Sequence, residues 1–166
     1  VPLVVSDTSP LGLLVQIGHA HVLEAMFGHV VIPPAVEREL THPNAPEVVR
    51  SFCRALPAWA SVRAPTTLLP LDLDPGETAA ISLVVELAAP VLIDEQAGRA
   101  VAQGRGLTVV GAVGVLERAG GLGLIADLAA VHGAIRRLPF HVSDGVLDAS
   151  LTRHEEHVAR RGRNCP

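Results

Sequence analysis

The chain has 166 residues, 49% of them apolar, with a mean hydropathy of +0.39. That composition supplies the core of one domain and too little for two ordinary ones, and a charged fraction of 18% excludes a disordered chain. The charge is unusual: all thirteen basic residues are Arg, against seventeen acids, for a net of −4, which argues against a simple electrostatic nucleic-acid binder.

The first six residues read as a short apolar strand buried on both faces, ending sharply at Asp7. Thr8 or Ser9 followed by Pro10 marks a helix start, with helical segments over 11–18 and 20–27. A second strand covers 29–32, and Pro33-Pro34 opens a helix through about His42. A helix over 46–56 follows, then short strand candidates at 61–63 and 67–71. The longest clean helix starts at Asp74-Pro75-Gly76-Glu77 and runs to about Ala89. After it come a strand at 90–93, a helix over 95–103 and a strand at 107–110. Helices near 113–119, 125–137 and 143–153 complete the series, and 154–166 reads as a charged, solvated tail.

Strands alternating with helices predict an α/β fold, a three-layer α/β/α sandwich around a mostly parallel sheet, as a single domain over 1–153. No apolar run approaches the roughly 20 residues of a membrane span. There is no basic leader with a cleavage site. Cys53 and Cys165 form neither a disulfide framework nor a zinc spacing, so a cytoplasmic location is the expectation.

In such a sheet, chemistry gathers outside the carboxyl ends of the strands. Asp7 and Asp94 each follow a predicted strand; the structural alternative for both is a helix N-cap. Asp74-x-x-Glu77 has the spacing of a capping box, yet Glu77 also continues the apolar stripe of Ile81, Val84 and Ala88, which aims its carboxylate at the sheet's rim. Glu86 falls on the opposite, solvated side. Glu37 and Glu39 flank the inner face of Val36 and Leu40 almost symmetrically, and periodicity does not choose between them. Several carboxylates from separate elements repel one another unless a cation intervenes, and an all-oxygen set suits Mg²⁺ or Mn²⁺ rather than zinc.

His19-x-His21 and His154-Glu155-Glu156-His157 lack the spacing of a zinc site and read as solvated pairs. The glycines at 111, 114, 120, 121 and 123 read as turns and close helix packing rather than a dinucleotide fingerprint. Arg136, Arg137 and the arginines at 153, 160, 161 and 163 are either an RNA grip or a charge-balanced end. A serine hydrolase is disfavoured without a Gly-x-Ser-x-Gly elbow. A phosphoacceptor domain is set aside because the chain has no Lys.

Taken in order, Val5-Ser6-Asp7-Thr8-Ser9-Pro10-Leu11, Val31-Ile32-Pro33-Pro34 leading to Glu39-Leu40, Gly76-Glu77-Thr78-Ala79-Ala80-Ile81, Leu92-Ile93-Asp94-Glu95, Gly98-Arg99 and Gly106 through Gly114 resemble the PIN-domain superfamily. The resemblance is to its bacterial and archaeal branch, related to toxin ribonucleases of toxin–antitoxin pairs, and it spans about residues 3–125. It implies a metal-dependent ribonuclease using Mg²⁺ or Mn²⁺, with Asp7, Glu39, Glu77 and Asp94 as catalytic and ion-holding acids. It selects Glu39 over Glu37. It further implies substrate contacts from Thr8, Ser9 and Arg99, an antitoxin partner, a homodimer and an RNA substrate. One position departs: the family commonly has Asp where this chain has Glu77. The competing expectation is a PIN-like module that binds RNA or protein without cutting.

Overall fold

The structure, a computed structural model, describes residues 2–139 and 142–163. Val1 of the predicted first strand and Cys165 lie outside the described residues. The chain divides into two compact units, residues 1–112 and 113–166.

The first unit is built on a sheet of five parallel strands: β1 (Leu3–Ser6), β2 (His29–Ile32), β3 (Ala60–Val62), β4 (Val91–Leu92) and β5 (Val109–Val110), in the order β3-β2-β1-β4-β5. This bears out the α/β class, and the sheet is parallel throughout. Interleaved are α1 (Thr8–Gln16), α2 (Val22–Phe27), α3 (Pro34–Leu40), α4 (Glu47–Arg54), α5 (Pro75–Leu87) and α6 (Gln96–Gly104). Strand order reverses between β1 and β4, so their carboxyl ends flank the switch point where α/β sheets place their sites.

The sequence explains why α5 anchors this arrangement. Its inner face (Ala80, Ile81, Leu83 and Val84) is buried together with Val5 of β1, Val31 of β2 and Val91 of β4. Val5 is in register with both Val31 and Val91, so the three valines point to one face of the sheet. Burying one such side chain contributes about 1.5–3 kcal/mol. α5 ends where Ala88 turns into the left-handed region at φ 52°, one residue before the expected end, which leaves Ala88 exposed rather than on the inner stripe. Residues 67–71 form no strand; Leu69 instead donates its N–H to Ser82 Oγ at 2.9 Å, and Leu69 and Leu71 pack on the core as a coil.

The second unit contains most of α7 (Ala112–Gly121), then α8 (Leu128–Arg136) and α9 (Asp144–Arg163), with α8 packed on α9. Asp127 caps α8 through the Ala130 N–H at 3.0 Å. The helix α9 continues well past the expected end at Arg153. Its extension is held laterally: Arg153 grips the Glu117 carboxylate through Nε and Nη2, and Arg161 Nη1 donates to the Gly121 carbonyl at 3.0 Å. Gly120 and Gly121 make room for His154 and His157, since a Cβ on Gly120 would stand 3.0 Å from the His154 ring. Arg136 pairs with Asp144 and Asp148, and Arg160 with Glu156, which is the charge-balanced arrangement. No helix among the described residues is long and apolar enough to cross a membrane.

Candidate active site

β1 delivers Asp7 to the carboxyl edge of the sheet. Asp7 occupies the N-cap position of α1, which starts at Thr8 so that Pro10 falls third in the helix, yet its side chain makes no cap hydrogen bond. A buried carboxylate without that duty is unusual, because burial disfavours its charge. The Asp7 pKa is accordingly raised from 3.8 to about 7, chiefly by burial, with the nearby carboxylates of Asp74, Glu77 and Glu39 adding to the rise and the Thr8 backbone N–H opposing it.

Two helix termini bring those carboxylates in. On α3, Glu39 Oε2 accepts a hydrogen bond from Thr8 Oγ1 at 2.6 Å. This separates the pair that periodicity left tied, because the charge of Glu37 acts instead on the Cys53 thiol. At the start of α5, Asp74 Oδ1 accepts from the Glu77 N–H at 2.8 Å, so the capping half of the motif is real. Glu77 itself is only 5% exposed, and its Oε1 is buried without a hydrogen-bond partner. Its pKa is raised, mostly by burial and then by the charge of Asp74, while the Asp74 backbone N–H lowers it.

Two glycines provide the space. A Cβ on Gly76 would lie 2.7 Å from Glu39 Oε1, 3.2 Å from Asp7 Oδ1 and 3.4 Å from Asp74 Oδ1, so three acids converge on the second residue of α5. A Cβ on Gly98, in α6, would lie 2.5 Å from Glu77 Oε1. Sequence reasoning saw Asp74 only as a cap. Its contribution to the acid cluster had no signal apart from the adjacent Gly76.

Asp94 reaches the same sheet edge, since Asp7 N–H bonds the Leu92 carbonyl at 2.9 Å, but it keeps different company. It is not the cap of α6, a position held by Glu95. Its Oδ1 accepts from the Ala112 N–H at 2.8 Å. Its pKa is raised by burial, against the lowering effects of that N–H and of Arg99. Arg99 Nη1 donates to the Ile93 carbonyl at 2.8 Å, which ties its guanidinium to the backbone beside Asp94. Ser9 is half-buried, with no side-chain hydrogen bond among the described residues. His19 and His21 stack loosely, ring centroids 5.6 Å apart, away from any acid that would complete a metal site.

The donor set suits a hard divalent cation. It consists of carboxylates, it includes one buried oxygen with no proton donor, and two glycine hydrogens face space that any Cβ would fill. Among the described residues, no group of three or more His, Cys, Asp or Glu side chains is arranged to hold a metal ion. A comparison with family models matches residues 3–156 to a family described as a PIN domain (DUF3368). A comparison with curated proteins finds no match.

Proposed function

The chain belongs to the PIN-domain family, and from that membership we propose that it is a divalent-metal-dependent ribonuclease that hydrolyses RNA phosphodiester bonds. PIN domains are generally metal-dependent nucleases, and the fold is of that nuclease type. The observation that carries the reading for this chain is the convergence of Asp7, Glu39 and Asp74 on Gly76, with the unpartnered Glu77 Oε1 beside Gly98.

In this reading Asp7, Glu77 and Asp94 hold Mg²⁺ or Mn²⁺, with Glu39 as a further ligand or as the group that orients the attacking water. Held by these residues, a divalent ion would neutralise charge at the scissile phosphate and lower the pKa of a water so that hydroxide is available at neutral pH. Thr8 holds the Glu39 carboxylate in one orientation. The cap bond from Glu77 N–H fixes Asp74, whose charge deepens the negative field at Asp7. Gly76 and Gly98 keep that field open to a cation. Residues 1–153 act as one functional domain. A place as the toxin of a toxin–antitoxin pair, with an antitoxin partner, homodimerisation and action in the cytoplasm, extends the proposal on the resemblance of the motifs.

The second reading, a PIN-like module that binds without cutting, draws support from the absence of a closed ligand set among the described residues. Incubation of defined single-stranded RNAs with and without Mn²⁺, beside a Mn²⁺ titration by calorimetry, separates the two. The nuclease reading requires both ion binding and cleavage, and both must be lost in Asp7→Asn.

A further inference from the structure

Outside the acids, a cavity of about 580 Å³ opens on the α3 side of the cluster, and Thr8 and Glu39 belong to both. We infer that this cavity seats a backbone phosphate of single-stranded RNA next to the one being cut, held by Arg38 and His42. The inference rests on the nuclease reading and adds where the substrate lies and which residues hold it.

An acid cluster repels a polyanion, so a nuclease of this composition needs a positive group close to the acids but not spent on them. In the first unit most arginines are committed: Arg50 and Arg54 pair with Glu47, Arg63 with Glu86, and Arg99 with the Ile93 carbonyl. Arg38 has no acidic or carbonyl partner among the described residues, and its side chain is exposed on the cavity wall. Its neighbour in sequence, Glu39, also lines the cavity, where its carboxylate accepts a hydrogen bond from Thr8 Oγ1.

His42, in the turn just past the end of α3, lines the same cavity as Arg38. The Asn44 N–H donates to His42 Nδ1 at 3.1 Å. That bond places the ring's own proton on Nε2, leaving an N–H donor free for an acceptor oxygen. Arg38 and His42 therefore both present donors to this cavity, whose lining acid, Glu39, accepts from Thr8. The volume falls within the range of about 300–1,000 Å³ of small-ligand clefts, room for about one nucleotide. The lining holds no Phe, Tyr or Trp, which leaves the His42 imidazole as its one ring; Asn44 offers the one amide able to meet a base edge or a 2′-hydroxyl. Recognition by phosphate with little base stacking predicts weak sequence preference at this subsite.

The test is the affinity of a fluorescein-labelled single-stranded RNA of ten nucleotides, read by anisotropy over a range of salt concentrations. The full-length chain carrying Asp7→Asn is used so that the RNA survives, and Arg38→Ala, Arg38→Lys and Arg105→Ala are added singly. Arg38→Ala should weaken binding about 10-fold and lower the salt slope by about one, Arg38→Lys should restore the slope, and Arg105→Ala should change neither. Unchanged affinity in Arg38→Ala, an equal loss in Arg105→Ala, or no RNA binding by the parent chain overturns the assignment. The nuclease reading is judged separately, by cleavage with the unmodified chain: binding that depends on Arg38 without any cleavage upholds this seat and overturns that reading alone.

Discussion

Gly98 leaves the space that the Glu77 carboxylate occupies: a Cβ there would stand 2.5 Å from Glu77 Oε1 and 3.1 Å from Ile93 Cγ2. The two residues sit on different helices, α5 and α6, and the contact explains why a helix interior tolerates its glycine. Alanine is intrinsically better in a helix than glycine by about 1 kcal/mol, a gain that here opposes the crowding of a buried carboxylate. Gly98→Ala should therefore change thermal stability by only a few degrees while displacing Glu77. Mn²⁺ affinity measured by calorimetry should fall at least about 10-fold, the effect expected when a ligand's support is disturbed. Normal affinity in that variant would mean Glu77 does not serve the ion.

Asp7 makes the same site a source of instability. Its pKa is raised in the folded protein to about 7 from 3.8, so the folded state holds a proton that the unfolded chain gives up. The associated stability is fully present below about pH 4 and is lost as pH rises through about 7. Above that pH the ion-free protein carries the full cost of a buried charge, on the order of a few kcal/mol. Asp7→Asn should raise Tm at pH 8 in EDTA, and the gain should shrink on acidification toward pH 4. Mn²⁺ should raise the Tm of the unmodified protein at pH 8 and leave the variant unmoved. A lower Tm in the variant at pH 8 would contradict the buried-charge account.

The 2.6 Å bond from Thr8 to Glu39 gives a third expectation. Thr8→Val keeps the shape and removes the donor, so Glu39 loses its fixed orientation. The fold should persist, with an unchanged circular dichroism spectrum. Cleavage kcat should drop about 10-fold, in line with losing a hydrogen bond to a charged group, and Thr8→Ser should recover most of it. Full activity in Thr8→Val would remove Glu39 from the site.

The second unit responds to pH with the opposite sign. His132 is fully buried, and neither ring nitrogen has a hydrogen-bond partner. Burial, helped by the charge of Arg136, lowers its pKa, so stability is present above the unfolded value near 6.5 and falls as pH drops through the folded one. Thermal unfolding should show an acid-side loss that begins as pH drops below about 6.5 and that His132→Leu flattens, by about 1.4 kcal/mol for each unit of displacement. An unaltered acid limb in that variant would assign the loss elsewhere.

Much of this site was legible in the residues alone. The strand-to-Asp transitions at Asp7 and Asp94 follow from short apolar runs that end on a carboxylate, and the inward aim of Glu77 follows from its phase with Ile81 and Val84. The parallel sheet follows from strands alternating with helices. Three features were not legible, for physical reasons. The choice between Glu37 and Glu39 depends on the tertiary bond to Thr8, which periodicity does not contain. Asp94 looked like a local cap, but it receives an N–H from Ala112, eighteen residues away, because β5 lies beside β4. The helical extension past Arg153 depends on lateral partners in α7, Glu117 and Gly121, so charge alone suggested a frayed tail. The commitment of Arg99 to a backbone carbonyl and the freedom of Arg38 are likewise tertiary facts, and they shift attention from one arginine to the other.

The central claim is that an acid cluster built around Asp7 makes this chain an ion-dependent ribonuclease despite its negative net charge. Its most direct test is the cleavage of defined single-stranded RNAs, resolved on a gel, by the intact chain and by Asp7→Asn with Mn²⁺ or EDTA. The account predicts products only from the intact chain and only with the ion. Cleavage that survives EDTA, or that Asp7→Asn retains in full, would contradict it.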